Sequence, residues 1–194
     1  MIIDISQEIR HCKVWPGDPV PVANRLQNME NGDAINLHSF SMCAHNGTHV
    51  DAPLHFIRDG KSIDQLPLEA TVGPCYVARH EGDVSAEDAE EILRCAREEQ
   101  ADQRILIAGK ATVTEGAAKV FANAQVLLVG NESQTVGPED APKQVHLILL
   151  GAGVVLLEGV ALAGVESGRY FLSAAPLNFA GFEGAPCRAY LIRE

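Results

Sequence analysis

Arg104-Ile105-Leu106-Ile107-Ala108 and, further on, Val126-Leu127-Leu128-Val129 are the two stretches that decide the fold. Both are short apolar runs bounded by polar residues or glycine. Runs of this kind suit strands buried on both faces, as in a parallel sheet. A weaker helical pattern over residues 114–122 lies between them and completes a β-α-β unit, because parallel strands need a crossover. Upstream, residues 73–78 read as another strand. Residues 85–100 are the clearest helix: Ser85 can cap it, Glu87 and Asp88 favour its positive end, and Ile92, Leu93 and Ala96 give it an apolar face. Downstream, residues 139–150 read as a helix after Pro138. Val154-Val155-Leu156-Leu157 is a strand that ends at Glu158, and the tail adds strands at 170–174 and 188–192. Near the start, residues 2–9 read as an opening strand, 14–19 as a turn, and 34–43 as an alternating strand. The class is α/β with a mixed sheet.

The chain has 194 residues, which suits a single compact domain over 1–194. Its hydrophobic share of 46% is that of a globular protein. The net charge is -11 and no cluster of Lys or Arg stands out, so nucleic acid and anionic membrane are not expected partners. The cysteines (Cys12, Cys43, Cys75, Cys95 and Cys187) are scattered and form no C-x-x-C pair. That argues against a disulfide framework or a structural zinc knuckle and suits a reducing cytoplasm. The opening residues read as a strand rather than a secretory leader. The longest apolar run, near 145–157, is broken by Gly151 and Gly153 and is too short to span a bilayer.

The chemistry concentrates in His45-Asn46-Gly47-Thr48-His49-Val50-Asp51-Ala52-Pro53-Leu54-His55. Three imidazoles and a carboxylate crowd together with no basic residue among them. Such donors suit zinc, manganese or iron. Gly47 allows a bend through which His45, His49 and Asp51 can converge on one ion. Asp51 has two oxygens and can bridge two. A His/His/Asp set leaves coordination positions open, as catalytic sites do. Pro53 stiffens the exit and holds His55 nearby. His11 and His80 read as solvent-facing turn residues, and His38 as a strand residue close enough in sequence to reach the site. His146, on an apolar helical stretch, reads by itself as a satisfied core histidine. Glu158 is the only acid in a long apolar run, so it must be paired or metal-bound.

The motif resembles the signature of the bacterial kynurenine formamidase and putative cyclase family of metal-dependent hydrolases. The resemblance extends to Asp4-Ile5-Ser6, Trp15-Pro16-Gly17-Asp18, Leu157-Glu158-Gly159-Val160, residues 170–177 and Ala185-Pro186-Cys187-Arg188-Ala189. It implies a swivelling β/β/α-type fold, a homodimer, and a site with two divalent metal ions, Zn2+ or alternatively Mn2+. The implied metal ligands are His45, His49, Asp51, His146 and Glu158. His55 matches the proton-transferring catalytic residue, and Trp15 an aromatic that contacts the substrate ring. Two departures bear on the substrate: Gly130-Asn131-Glu132-Ser133 stands where relatives commonly carry an aspartate followed by Thr or Ser, and Lys143-Gln144-Val145 precedes His146 where a second histidine often appears.

The resemblance implies amide hydrolysis of a small aromatic substrate, with N-formylkynurenine the best single candidate. The alternatives are an isatin-like lactam or lactone hydrolase, a cyclase, and a metal-containing binding protein without turnover. An intact His55 argues against the last, since a pure binding site needs no proton carrier.

Overall fold

The computed structural model describes residues 1–193. Its main sheet holds nine strands among the described residues. In chain order the strands of the molecule are β1 (Ile2–Asp4), β2 (Val22–Gln27), β3 (Leu37–Ser41), β4 (His49–Asp51), β5 (Val72–Arg79), β6 (Gly82–Val84), β7 (Arg104–Ala108), β8 (Ala111–Val113), β9 (Leu128–Asn131), β10 (Val155–Glu158), β11 (Gly168–Ser173), β12 (Gly184–Pro186) and β13 (Tyr190–Ile192). The helices are α1 (Ala86–Glu98), α2 (Glu115–Asn123) and α3 (Lys143–Gly151).

The sheet runs β1-β13-β11-β5-β7-β9-β10-β4-β12. Its centre, β5-β7-β9-β10, is parallel, and both wings are antiparallel. The parallel centre follows from composition: every residue of β7, β9 and β10 is buried. Alternation then divides the side chains between two cores. Ile105, Ile107, Val129 and Leu156 pack under the helices with Phe121 and Leu149. Leu106, Leu128, Val155 and Leu157 point the other way and share a core with Val50 of β4, Ala185 of β12 and Leu191 of β13. Residues from both ends of the sheet meet in that second core, so the sheet is curled. The α/β class with a mixed sheet is therefore the observed fold.

The β7-α2-β9 unit forms as expected, with β9 displaced two residues towards the C-terminus. Gln125 takes a positive φ of 55°, and this turn delays pairing until Leu128. Helix α1 carries the expected cap: Ser85 Oγ accepts from Asp88 N–H at 3.1 Å, and an Asp88 carboxylate oxygen accepts from Ser85 N–H at 2.9 Å. Helix α3 starts at Lys143 rather than 139. The residue before a proline is pushed out of the helical region, so Ala141 cannot continue a helix into Pro142. The opening strand stops at Asp4, whose carboxylate accepts from Ser6 N–H at 3.1 Å and turns the chain. The strand expected over 34–43 is shorter. It pairs with β2 in a separate hairpin whose paired residues are all exposed.

Candidate metal centre

His45 lies on the loop after β3, and His49 and Asp51 form the ends of β4. Gly47, between them, has a φ of +66°, and a Cβ there would lie 3.0 Å from Cys12 Cβ, so this bend requires glycine. In β4, His49 and Asp51 share a face two residues apart. The strand runs antiparallel to β10 with His49 opposite Glu158. All three side chains therefore point towards the helix layer, where His146 projects from the first turns of α3. His55 sits on a short 3-10 turn, Pro53–His55, which Pro53 opens.

These side chains meet. Two groups have ligand atoms within 4.8 Å of one another: His45, His49 and Asp51, and Asp51, His146 and Glu158. Asp51 belongs to both. Asp51 Oδ1 accepts from His45 Nδ1 at 2.8 Å and lies 3.4 Å from His49 Nε2. Glu158 Oε1 lies 3.2 Å from His146 Nε2, and Oε2 lies 3.4 Å from His49 Nε2. His55 Nε2 stands 3.8 Å from Asp51 Oδ2 and belongs to neither group.

This donor set fits divalent cations on two counts. Asp51 Oδ2 is buried and has no hydrogen-bond partner among the described residues, although 3.7 Å away stands His146 Nε2. A buried carboxylate oxygen left so is costly unless a cation meets it. The second count concerns the imidazoles. His49 Nδ1 is bonded to Gly47 O at 2.9 Å, and His146 Nδ1 to Pro142 O at 2.9 Å. A carbonyl only accepts, so both rings carry their proton on Nδ1. In the neutral rings both Nε2 lone pairs then face carboxylate oxygens. Such lone pairs repel unless positive charge sits between them.

The electrostatics without a cation say the same. Burial works against charge on His45, but the bond to Asp51 and the charges of Asp51, Glu183 and Glu158 outweigh it and hold the ring up to about 9. Burial is likewise overcome at His49 and His146, both raised, chiefly through Glu158. Asp51 is held low despite burial, by the bond from His45 and the neighbouring imidazoles. Glu158 is also lowered: burial and the Asp51 charge push it up, and His146 and His49 prevail. His55 alone among these imidazoles moves down, because of burial and the positive charges of His45 and His146.

A cavity of about 410 Å³ opens over the cluster. Trp15 and Phe56 give it aromatic walls, and Asp18, Gln134, Thr135 and Glu183 supply polar ones. His38 does not line it; on the exposed hairpin its Nε2 accepts from Arg25 Nε. His11 bonds Glu8 at the surface, and His80 bonds the Asp83 carbonyl. Of the two sequence departures, Glu132 accepts from the Gly109 and Leu162 amides and so ties two loops together. Asn131 donates to the Ala111 and Thr135 carbonyls. Lys143 and Gln144 are exposed on the first turn of α3. Sequence reasoning missed Asp18, Phe56, Gln134, Thr135 and Glu183. Asp18 was within reach, since it lies beside Trp15 in the Trp-Pro-Gly-Asp turn.

A curled mixed sheet carrying a buried, carboxylate-bridged imidazole cluster under an aromatic cavity defines a metal-dependent hydrolase of the α/β class. The chain matches the sequence pattern of the family described as "Putative cyclase" over residues 3–138, and it belongs to that family. It is 35% identical to a kynurenine formamidase from Salinibacter ruber over 98% of this chain and 96% of that one. A solved structure described as a potential metal-dependent hydrolase with cyclase activity superposes with a TM-score of 0.80 at 28% identity, covering 100% of this chain and 98% of the other. Isatin hydrolase A from Labrenzia aggregata shares the fold, with a TM-score of 0.78 at 24% identity over 100% of this chain and 94% of its own.

Proposed function

We propose that this chain is a metal-dependent hydrolase of amide C–N bonds that converts N-formylkynurenine to kynurenine and formate. One observation carries the reading: Asp51 joins two ligand sets through a carboxylate whose outer oxygen has no hydrogen-bond partner among the described residues, and an imidazole outside both sets, His55, stands 3.8 Å from that oxygen. The likeness to the Salinibacter ruber kynurenine formamidase supports the choice of substrate.

His45, His49 and Asp51 would hold one ion, and Asp51, His146 and Glu158 a second. The donors are imidazole and carboxylate without thiolate, which suits Zn2+ first and Mn2+ second. When bound, such ions polarise a carbonyl oxygen and lower the pKa of water towards ~7. The chain supplies the rest. His55, with its pKa lowered, is neutral at neutral pH, so its ring nitrogen can take a proton from the attacking water. The same nitrogen then delivers that proton to the leaving aniline nitrogen as the C–N bond breaks. The leaving amine departs neutral, and the formic acid formed with it ionises to formate by giving its proton to solvent. Trp15 and Phe56 offer flat apolar walls for the aryl ring.

The same residues suit a lactam or lactone, so the decisive experiment is comparative. Protein purified without chelator is assayed for metal content and for turnover of N-formylkynurenine, isatin and a simple aryl lactone. Preferential hydrolysis of the formamide supports the reading. Preference for isatin or the lactone replaces the substrate, and a metal-loaded protein that turns over none of them replaces the function by binding.

We also read the assembly as a homodimer. No paired residue of the β2–β3 hairpin is buried, and its apolar side chains, Phe40 at 68% exposure among them, stand in water. A second copy would cover them. The cysteines Cys12, Cys43, Cys75, Cys95 and Cys187 are all free, which supports a reducing cytoplasmic setting.

A further inference from the structure

The three imidazoles assigned to the cations are not held alike. His49 and His146 each turn Nδ1 outward onto a backbone carbonyl and present Nε2 to the carboxylates. His45 is turned the other way. Its Nδ1 faces Asp51 at 2.8 Å, and its Nε2 meets Glu183 Oε1 at 3.3 Å. The residue that holds the ring outward is thus a side chain, and it comes from a distant part of the chain.

The neighbouring residue completes the seat. Gly184 begins β12 and pairs with Asp51 across the sheet. A Cβ on Gly184 would lie 2.7 Å from His45 Cε1 and 3.2 Å from its Nδ1. The Cε1–Nδ1 edge of the ring therefore sits against the backbone of β12, in room that only glycine leaves. Glu183 fixes the ring's rotation from one side, and Gly184 fixes its depth from beneath. A ligating imidazole commonly donates its second N–H to a carboxylate, which sets both the tautomer and the ring orientation.

We propose that Glu183 and Gly184 form a positioning seat for His45, which makes that histidine bind its cation through Nδ1 while Nε2–H donates to Glu183. The inference rests on the two-cation reading above and adds a residue pair to it. Glu183 bonds His45 and belongs to neither ligand set, so its role here is that of a positioning residue. Its side chain is 43% exposed, so its replacement leaves the fold intact.

The test is metal affinity, measured by competition with a chelator on the wild-type protein and on Glu183→Ala and Glu183→Gln. Loss of such an outer carboxylate weakens metal binding by about 10- to 100-fold. Glu183→Ala should show that loss for one of the two ions. Glu183→Gln, which keeps an acceptor oxygen, should recover part of it. In the zinc-loaded wild type, a long-range proton–nitrogen correlation spectrum should place the retained His45 proton on Nε2. Equal affinity in wild type and Glu183→Ala overturns the proposal. So does a Gln variant as weak as the Ala variant, because that pattern reports charge at a distance and not a held ring. A retained proton on Nδ1 overturns it as well. If the wild-type protein binds no divalent ion at all, the fault lies with the functional reading itself, and the two failures are told apart.

Discussion

Removing the divalent ions should make the fold sensitive to alkaline pH, and His45 sets the size of the effect. In the metal-free protein the positive charge near Asp51 and Glu158 is carried, among the described residues, by imidazoles. Burial opposes that charge on His45, but Asp51, Glu183 and Glu158 prevail and raise it from 6.5 to about 9. A folded value above the unfolded one gives stabilisation that is complete below the unfolded pKa and is lost as pH rises through the folded one. At roughly 1.4 kcal/mol per pKa unit, the interval from 6.5 to about 9 corresponds to about 3 kcal/mol. The side chain is only 14% exposed, so little of this is screened by solvent. His49 and His146 shift in the same direction and add to it. For a chain of this length each kcal/mol moves the melting temperature by roughly 2–4 °C. The metal-free protein should then melt roughly 6–12 °C lower near pH ~9 than near pH ~6. Thermal denaturation followed by circular dichroism, on chelator-treated and zinc-reconstituted samples at both pH values, makes the measurement. In the loaded protein the ligating nitrogens hold no proton to lose, and the drop should vanish. A metal-free protein that melts equally at both pH values refutes the charge argument, and so does a loaded protein that loses as much.

His55→Ala should retain both ions by elemental analysis and lose turnover by roughly 10²–10⁴-fold, the usual share of a positioned proton carrier; Asp51→Ala should lose metal and turnover together, since both ligand sets contain Asp51. Full activity of His55→Ala across the pH range would remove that residue from the mechanism. Phe121 is fully buried between α2 and the sheet, so Phe121→Ala should cost about 3–5 kcal/mol in chemical denaturation without altering metal content. Phe40→Asp should convert the proposed homodimer to a monomer of half the mass in light scattering, with the hairpin's exposed apolar residues as the cause.

The parallel centre was legible because strands buried on both faces leave unbroken apolar runs, and β7, β9 and β10 all do so. Helix α1 was legible through its cap and its spacing of Ile92, Leu93 and Ala96, and the structure adds Ala89 to the buried face. The hairpin was only half legible. Every paired residue of β2 and β3 is exposed, so no core imposes a period of two on them. Strands β6, β8 and β12 have three residues each and follow or contain Gly and charged residues, too short for any pattern to emerge. The site divided along the same line. His45, His49, Asp51 and His55 occupy one stretch, and their crowding is visible without coordinates. His146 looked like an ordinary core histidine, and it came forward only through the family resemblance. Glu183 carries no local signal at all; it matters because β12 lies beside β4.

Glu158 shows why the distant half of the cluster is nevertheless encoded. Strand β10 sends Val155 and Leu157 into one core and Leu156 into the other. Period-two alternation then places Glu158 on the Leu156 face, towards His146, and the antiparallel register sets it opposite His49. A slip of one residue would carry Glu158 to the Leu157 face, among Val50, Leu128 and Leu106. There its charge would have neither an imidazole nor the Val136 amide, which now donates to Oε1 at 2.8 Å. An unpaired buried carboxylate costs several kcal/mol, and the slip would also put Leu157 where the polar cluster stands. The apolar residues of β10 therefore select the register that assembles the proposed metal ligands, and replacing Leu157 with a polar residue should weaken metal binding although Leu157 points into the opposite core. Leu157→Asn protein that folds and binds zinc as tightly as wild type would show that the register is fixed elsewhere.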